Sequence, residues 1–245
     1  MKTSAIIFAA GLGTRLFPLT ANRPKALVEY HGKTLLEHTL TKIIDTGIDN
    51  IVINVHHFGE QIIDFINQHH FNININISDE REKLLDTAGG LKYAEQFFKN
   101  SDQILLYNVD VITDMDLKKF IHHCAESRKQ KAENRRQKAE SIATLAVRHR
   151  DTNRYFLFEE PELRLCGWKN ISTEEKIICY EVENHTSLAF SGIHVVNKKI
   201  LDFIPKNEKL SFTTLYLELA KNYHIQGYLH DEDTWKDLGK REDFR

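Results

Sequence analysis

Ala9-Ala10-Gly11-Leu12-Gly13-Thr14-Arg15-Leu16-Phe17-Pro18-Leu19-Thr20, closed by Arg23-Pro24-Lys25, is the stretch that decides the fold. It leaves the apolar run Ser4-Ala5-Ile6-Ile7-Phe8, which reads as a buried strand. A loop of small residues and glycines lets backbone N–H groups approach a polyanion closely. Arg15 adds a planar fork of donors for phosphate oxygens and Lys25 a compact charge, while Pro18 and Pro24 restrict the chain between them. The pattern reads as a phosphate cradle, and the ligand it implies is a nucleoside triphosphate.

Two better-known glycine loops are excluded. A dinucleotide fingerprint needs a third glycine where Leu16 stands after Gly11 and Gly13. Gly32-Lys33-Thr34 resembles the end of a P-loop, but the position of its first glycine is Leu27.

Working outward, strand-like and helix-like patterns alternate through the first half, which argues for a parallel sheet with helices on its faces. Ile51 to Val55 and Ile104 to Tyr107 read as buried strands, and Gly59 to Gln68 and Leu91 to Phe98 as helices. The strict alternation from Phe71 to Ile77 predicts a half-exposed strand near an edge. After Asp110 the segments 142–147, 155–158, 163–168, 176–182 and 187–196 are short and β-rich, as added hairpins would be. Helical spacing returns at 198–204 and 211–223, before a last strand at 225–229. The expected fold is α/β: a Rossmann-like, mixed but mostly parallel central sheet flanked by helices, with added β-hairpins. We expect a single domain over 1–245, with a nucleotide-binding half at 1–115, a charged insertion at 125–141 and a second-substrate half at 142–245. Within the insertion, Arg128 to Asn134 is repeated in near-duplicate by Arg135 to Ser141 and carries almost no apolar side chains, so it reads as a solvated helix extension or loop.

The 245 residues carry a formal charge of -2. That leaves no global basic field, so nucleic-acid binding is not expected and phosphate attraction must be local. No apolar run is long enough for a bilayer and the start shows no signal-peptide pattern, so neither a membrane nor secretion is expected and a cytoplasmic location is. Cys124, Cys166 and Cys179 are widely spaced without a C-x-x-C pair, which fits reduced thiols rather than a disulfide or zinc framework.

The order Ala-Ala-Gly-Leu-Gly-Thr-Arg-Leu, Pro24-Lys25, Gly32 to Leu36, Thr87-Ala88-Gly89-Gly90-Leu91, Asn108-Val109-Asp110, Phe190-Ser191-Gly192-Ile193 and Trp235-Lys236-Asp237-Leu238-Gly239 resembles the sugar-1-phosphate nucleotidyltransferases over nearly the whole chain. Among subfamilies it looks most similar to the short N-acetylmuramate-1-phosphate uridylyltransferases and the related mannose-1-phosphate guanylyltransferases. The resemblance implies that Asp110 and Asp237 hold one Mg²⁺, that Arg15 and Lys25 are catalytic, and that Ala10, Gly11, Gly13, Thr14, Gly89, Gly90 and Asn108 bind the nucleotide. It places Ser191 and Gly192 at the sugar. Relatives carry a Glu-Lys-Pro tripeptide whose lysine grips the sugar phosphate; this chain has Glu159-Glu160-Pro161, and Lys169 in Gly167-Trp168-Lys169-Asn170 is the substitute. Val109 replaces the family's usual glycine. The partners implied are a nucleoside triphosphate and a sugar 1-phosphate, foremost UTP with N-acetylmuramate 1-phosphate for cell-wall precursors, with GTP and mannose 1-phosphate as the alternative. A metal-dependent glycosyltransferase and a noncatalytic nucleotide-sugar-binding protein are the rivals from other classes; neither calls for Arg15 and Lys25 flanking a triphosphate loop. Asp114 and Asp116 suggest an Asp-x-Asp metal motif but stand just before a helical pattern, so they read as a helix cap. The pairs His56-His57, His69-His70 and His122-His123 lack zinc-ligand spacing and read as surface or supporting residues.

Overall fold

The computed structural model describes residues 1–69, 71–133 and 141–244. In chain order the first half contains β1 (Thr3–Phe8), β2 (Glu29–Tyr30), β3 (Lys33–Thr34), α1 (Leu35–Ile44), β4 (Asn50–Val55), α2 (Gly59–Gln68), β5 (Asn74–Asp79), α3 (Asp86–Tyr93), β6 (Gln103–Asn108), β7 (Val111–Thr113) and α4 (Leu117–Glu133). The second half contains β8 (Ser141–Arg148), β9 (Arg154–Glu159), β10 (Arg164–Asn170), β11 (Glu175–Ile178), β12 (His185–Asn197), α5 (Phe212–Leu219), β13 (His224–Leu229) and β14 (Trp235–Asp237). The first copy of the charged tandem repeat extends α4 to Glu133; residues 134–140 of the repeat lie outside the described residues.

One ten-stranded sheet runs in the order β11-β10-β13-β8-β12-β6-β1-β4-β5, with β9 bridging β10 and β12. The strands of β1 and β6 alternate across it. Ile6, Ile104 and Leu106 face one core with Ala88 and Leu91 of α3 and Leu215, Tyr216 and Leu219 of α5. Ala5, Ile7, Leu105 and Tyr107 face the other, with Leu36, Leu40 and Ile43 of α1 and Phe120 and Cys124 of α4. This period-two exchange of faces is what burial on both sides demands.

The expectation of a mostly parallel sheet needs correction. β1, β4, β5 and β6 pair in parallel, as do β8 and β13, but β6–β12, β8–β12, β9–β12, β9–β10, β10–β11 and β10–β13 are antiparallel. The cause is connection length. Parallel neighbours need a crossover, which α1 and α2 provide, whereas the tight turns after β9 and β10 permit only antiparallel return. The alternating segment is an edge strand, as its pattern predicts, shifted to Asn74–Asp79.

Gly32-Lys33-Thr34 belongs to the β2–β3 hairpin and to the start of α1. Thr34 Oγ1 accepts from the Glu37 N–H at 3.1 Å, and Glu37 Oε2 accepts from the Thr34 N–H at 2.7 Å. This is a capping box, not a phosphate loop.

The helix predicted from Leu91 begins earlier, at Asp86, and yields to a 3₁₀ turn at Glu95–Phe98. Gly89 and Gly90 are therefore inside α3 rather than ahead of it. Close approach explains them: a Cβ on Gly89 would lie 2.4 Å from the Glu208 carbonyl oxygen, and one on Gly90 2.7 Å from Glu80 Oε1. Gly89→Ala gains helix propensity but forces backbone apart, so it should lower unfolding free energy by about 1 kcal/mol or more in a urea titration; an unchanged midpoint and slope would contradict this packing.

Candidate active site

Asn54 of β4 anchors the start of the glycine loop. Its buried Oδ1 accepts from the N–H groups of Ala9 at 2.8 Å and Ala10 at 3.2 Å, tying the loop to the neighbouring strand. Gly13 then adopts φ +64, a left-handed value that favours glycine, and Thr20 Oγ1 donates to its carbonyl at 2.9 Å. Gly11 is different: a Cβ there would meet no protein atom within 4 Å. Its lack of a side chain leaves space in the cavity itself. That cavity, about 440 Å³, is lined by Ala10, Gly11, Gly13, Thr14, Arg15, Lys25, Asn108 and Asp110, with Glu80, Asp86 and Thr87 on the far wall.

Four charged groups from three regions of the chain meet at its mouth. Lys25 Nζ donates to Asp110 Oδ2, and the side chains are only 10% and 18% exposed. Asp110 sits in the turn between β6 and β7. β14 pairs antiparallel with β7, setting Asp237 opposite Val111, and the Leu238 N–H donates to the Asp110 carbonyl at 2.8 Å. A Cβ on Gly239 would lie 2.7 Å from Asp237 Oδ1 and 3.0 Å from Arg15 Nη2, so the missing side chain lets carboxylate and guanidinium draw together. Burial and then the neighbouring Asp110 push the Asp237 carboxyl above its ordinary value, while Lys25, Arg15 and Arg150 pull it back. Asp237 Oδ1 is buried without a hydrogen-bond partner among the described residues.

The structure thus brings together Arg15, Lys25, Asp110, Asp237 and the loop residues Ala10, Gly11, Gly13 and Thr14, with Asn108 on the same wall. Other candidates lie elsewhere. Gly89 and Gly90 pack beneath the cavity while Asp86 and Thr87 reach it. Ser191 is fully buried, its Oγ bonded to His230 Nε2 at 2.7 Å and its carbonyl accepting from Trp235 Nε1 at 2.9 Å. Gly192, at φ +77, packs on Asn108, whose Nδ2 would stand 2.9 Å from an added Cβ. Lys169 Nζ lies over the Tyr155 ring, 5.4 Å from its centre.

A second cavity, about 950 Å³, adjoins this centre and includes Arg15, Asp237, Arg150, Arg154, Tyr155 and Ser172. Arg150 was not legible as a site residue, although its position just past the carboxyl end of β8 is the kind of place ligands occupy in α/β sheets. Nor does the local sequence single out Glu80. It is 3% exposed, with Oε1 accepting from Asn54 Nδ2 at 3.0 Å and Oε2 buried without a partner.

The Asp-x-Asp pair divides. Asp116 Oδ1 accepts from the Lys119 N–H at 2.9 Å and caps α4, as predicted. Asp114 instead accepts from the Thr234 N–H at 2.7 Å, fastening the approach to β14. The three cysteines are free, with Cys124 and Cys166 buried. Among the described residues no group of three or more His, Cys, Asp or Glu gathers as a metal cage, and no helix is long and apolar enough to cross a membrane.

The chain belongs to the nucleotidyl transferase family, whose sequence profile matches residues 4–245. It is 39% identical over 111 residues to the N-acetylmuramate alpha-1-phosphate uridylyltransferase of Caulobacter vibrioides, a match covering 44% of this chain and 46% of that protein. Over 247 residues it is 27% identical to the mannose-1-phosphate guanyltransferase of Yarrowia lipolytica, covering 98% of this chain and 61% of the relative. The chain thus spans less than two thirds of the length of these two relatives. The crystal structure of HddC from Yersinia pseudotuberculosis shares the fold, with a TM-score of 0.71 at 21% identity over 98% of this chain and 96% of that one.

Burial pushes the Glu80 carboxyl from an ordinary 4.5 to about 7, against the hydrogen bond from Asn54 and the pull of the nearby Leu85 backbone. An acid whose folded value is raised stabilises the fold fully below its unfolded value and loses that contribution as pH rises through the folded value. The loss is about 3 kcal/mol between roughly pH 4.5 and 7. Glu80→Gln, which keeps the Oε1 acceptor, should therefore be more stable than the parent at pH 8 and lose that advantage by pH 5. Denaturant titrations showing the same difference at both pH values would contradict the buried, proton-accepting state.

Proposed function

We propose that this chain transfers a nucleotidyl group from a nucleoside triphosphate to a sugar 1-phosphate, releasing pyrophosphate and forming a nucleoside diphosphate sugar. The observation that carries the reading is the meeting of Arg15, Lys25, Asp110 and Asp237 between two cavities, one walled by the glycine loop and one by the second-half strands. The first cavity suits the triphosphate and the second the sugar phosphate. A sugar-phosphate oxygen attacks the α-phosphorus and the pyrophosphate oxygen leaves, with no enzyme-bound intermediate.

The nucleophile is already an anion. The protein therefore has to orient two anionic reactants and offset their charge rather than remove a proton. The loop N–H groups of Gly11, Gly13 and Thr14 hold the phosphate tail, Arg15 offsets charge on the departing pyrophosphate, and Lys25 does the same at the reacting phosphate. Asp110 and Asp237 suit a hard divalent cation such as Mg²⁺: two carboxylates, one with a buried oxygen lacking a partner, leave room for phosphate oxygens in the shell. Bound there, such an ion would neutralise phosphate charge shared by the two reactants.

UTP with N-acetylmuramate 1-phosphate is the pair we favour, supported by the higher identity to the Caulobacter relative. GTP with mannose 1-phosphate is the second reading, supported by the Yarrowia relative's match along almost the whole chain. Dependence of pyrophosphate release on both a triphosphate and a sugar phosphate, measured over a panel of each, tests the assignment; release with no sugar phosphate present would overturn it.

Asp237→Asn separates the two demands on that residue. Because burial and Asp110 disfavour its charge, the amide should raise Tm at neutral pH, where the native acid has lost stability. The same change should cut pyrophosphate release about a hundredfold or more by removing a carboxylate from the reacting centre. Near-normal release would remove Asp237 from the mechanism.

A further inference from the structure

The second cavity contains a guanidinium that the roles above leave unused. Arg150 rests on the indole of Trp235, its carbon 4.6 Å from the ring centre. Its Nη2 donates to the Phe190 carbonyl at 3.3 Å, and its Nε–H is buried with no partner among the described residues. Burial disfavours the Arg150 charge most, the Asp237 carboxylate partly offsets this, and Arg148, over the same ring at 5.9 Å, opposes it. A buried cation with an unmet N–H and a like charge beside it gains from a further anion in the cavity.

The seat under this guanidinium is itself fixed. Trp235 Nε1 donates to the Ser191 carbonyl at 2.9 Å, and Ser191 Oγ bonds His230 Nε2 at 2.7 Å, the second bond buried and the first partly so. Trp235 also stands on β14 with Asp237, so the strand that delivers the acid delivers the platform. A guanidinium lying flat on an aromatic face keeps its in-plane donors; with Nη2 on the Phe190 carbonyl and Nε enclosed, Nη1 is the donor left to meet a phosphate oxygen. Arg150 lines the second cavity and not the first, and the two meet at Arg15. An anion held at Arg150 is therefore beside the Asp237 junction but outside the triphosphate cradle.

We propose that Arg150, seated by Trp235, grips the phosphate of the sugar 1-phosphate, a role that rests on the reaction assigned under Proposed function and displaces Lys169 from it. Arg150 would touch the substrate; Trp235 is a positioning residue acting through it. Lys169 is engaged with the Tyr155 ring instead.

The test is pyrophosphate release by the full chain, with UTP and N-acetylmuramate 1-phosphate and with GTP and mannose 1-phosphate as probes. Arg150→Ala should raise KM for the sugar phosphate roughly ten- to a hundredfold while KM for the triphosphate stays within about twofold. Trp235→Ala should reproduce that one-sided rise, and Trp235→Phe, which keeps an aromatic face, should reverse most of it. Lys169→Ala should have the smaller effect. The rise in Tm given by UTP alone reports folding and an intact cradle; should Arg150→Ala fail that control, Arg150→Gln is read by the same criterion. An unchanged sugar-phosphate KM in a variant that passes it, an equal rise in both KM values, or a larger effect of Lys169→Ala would overturn this proposal alone. Wild-type pyrophosphate release without sugar phosphate would overturn the parent reaction and this role with it.

Discussion

The structure is organised around holding two carboxylates and two cations close together, with Lys25, Asp110 and Asp237 largely enclosed. Asp110 and Asp237 repel, and burial disfavours the charge on Asp237. Lys25 and Arg15 offset that cost only because each is fixed by local geometry: Lys25 in a 3₁₀ turn opened by Pro24, Arg15 in another opened by left-handed Gly13. Such a cluster is stable in few arrangements, so the surrounding strands must be placed closely. The β7–β14 ladder, the Leu238 N–H bond to Asp110 and the absent side chain of Gly239 all serve that placement.

The two halves of the sheet supply different walls for this centre. The parallel strands β1, β4 and β6 end on the same side, which puts the glycine loop, Asn54 and Asn108 around one cavity. Antiparallel strands built from short turns supply the other wall, where Arg150, Arg154 and Tyr155 follow β8 and open β9. Connection length along the chain thus decides which side chains each wall presents.

Much of this was legible because its signals are local. The buried strands, the edge position of the alternating segment, helix α2 and the loop with its two cations follow from spacing and residue type alone. Convergence of Asp110 with Asp237 came only from family resemblance, since nothing in the local sequence reports that β14 returns to β7. The place of Gly89 and Gly90 inside α3 was hidden for a physical reason: a glycine demanded by close packing inside a helix looks in sequence like a glycine demanded by a turn. Ser191 and Gly192 mark the cavity's support rather than its lining, because their partners, His230, Trp235 and Asn108, are remote in the chain. Arg150 was missed since an arginine near a strand end is commonplace, and the indole beneath it and its unmet Nε–H appear only in three dimensions.

The strand β12 is ladder-bonded on one edge to β9 over its first residues and to β6 over its last, and on the other to β8, whose register shifts between Phe190 and His194. Both changes fall around Ser191–Gly192, where close packing on Asn108 fixes the bend. A single strand therefore splices both walls into one beam, and rotating one against the other would mean breaking main-chain ladders. The spacing of the two cavities is settled when the chain folds, while Leu12 and Phe17 of the glycine loop stand exposed at the surface, outside that beam.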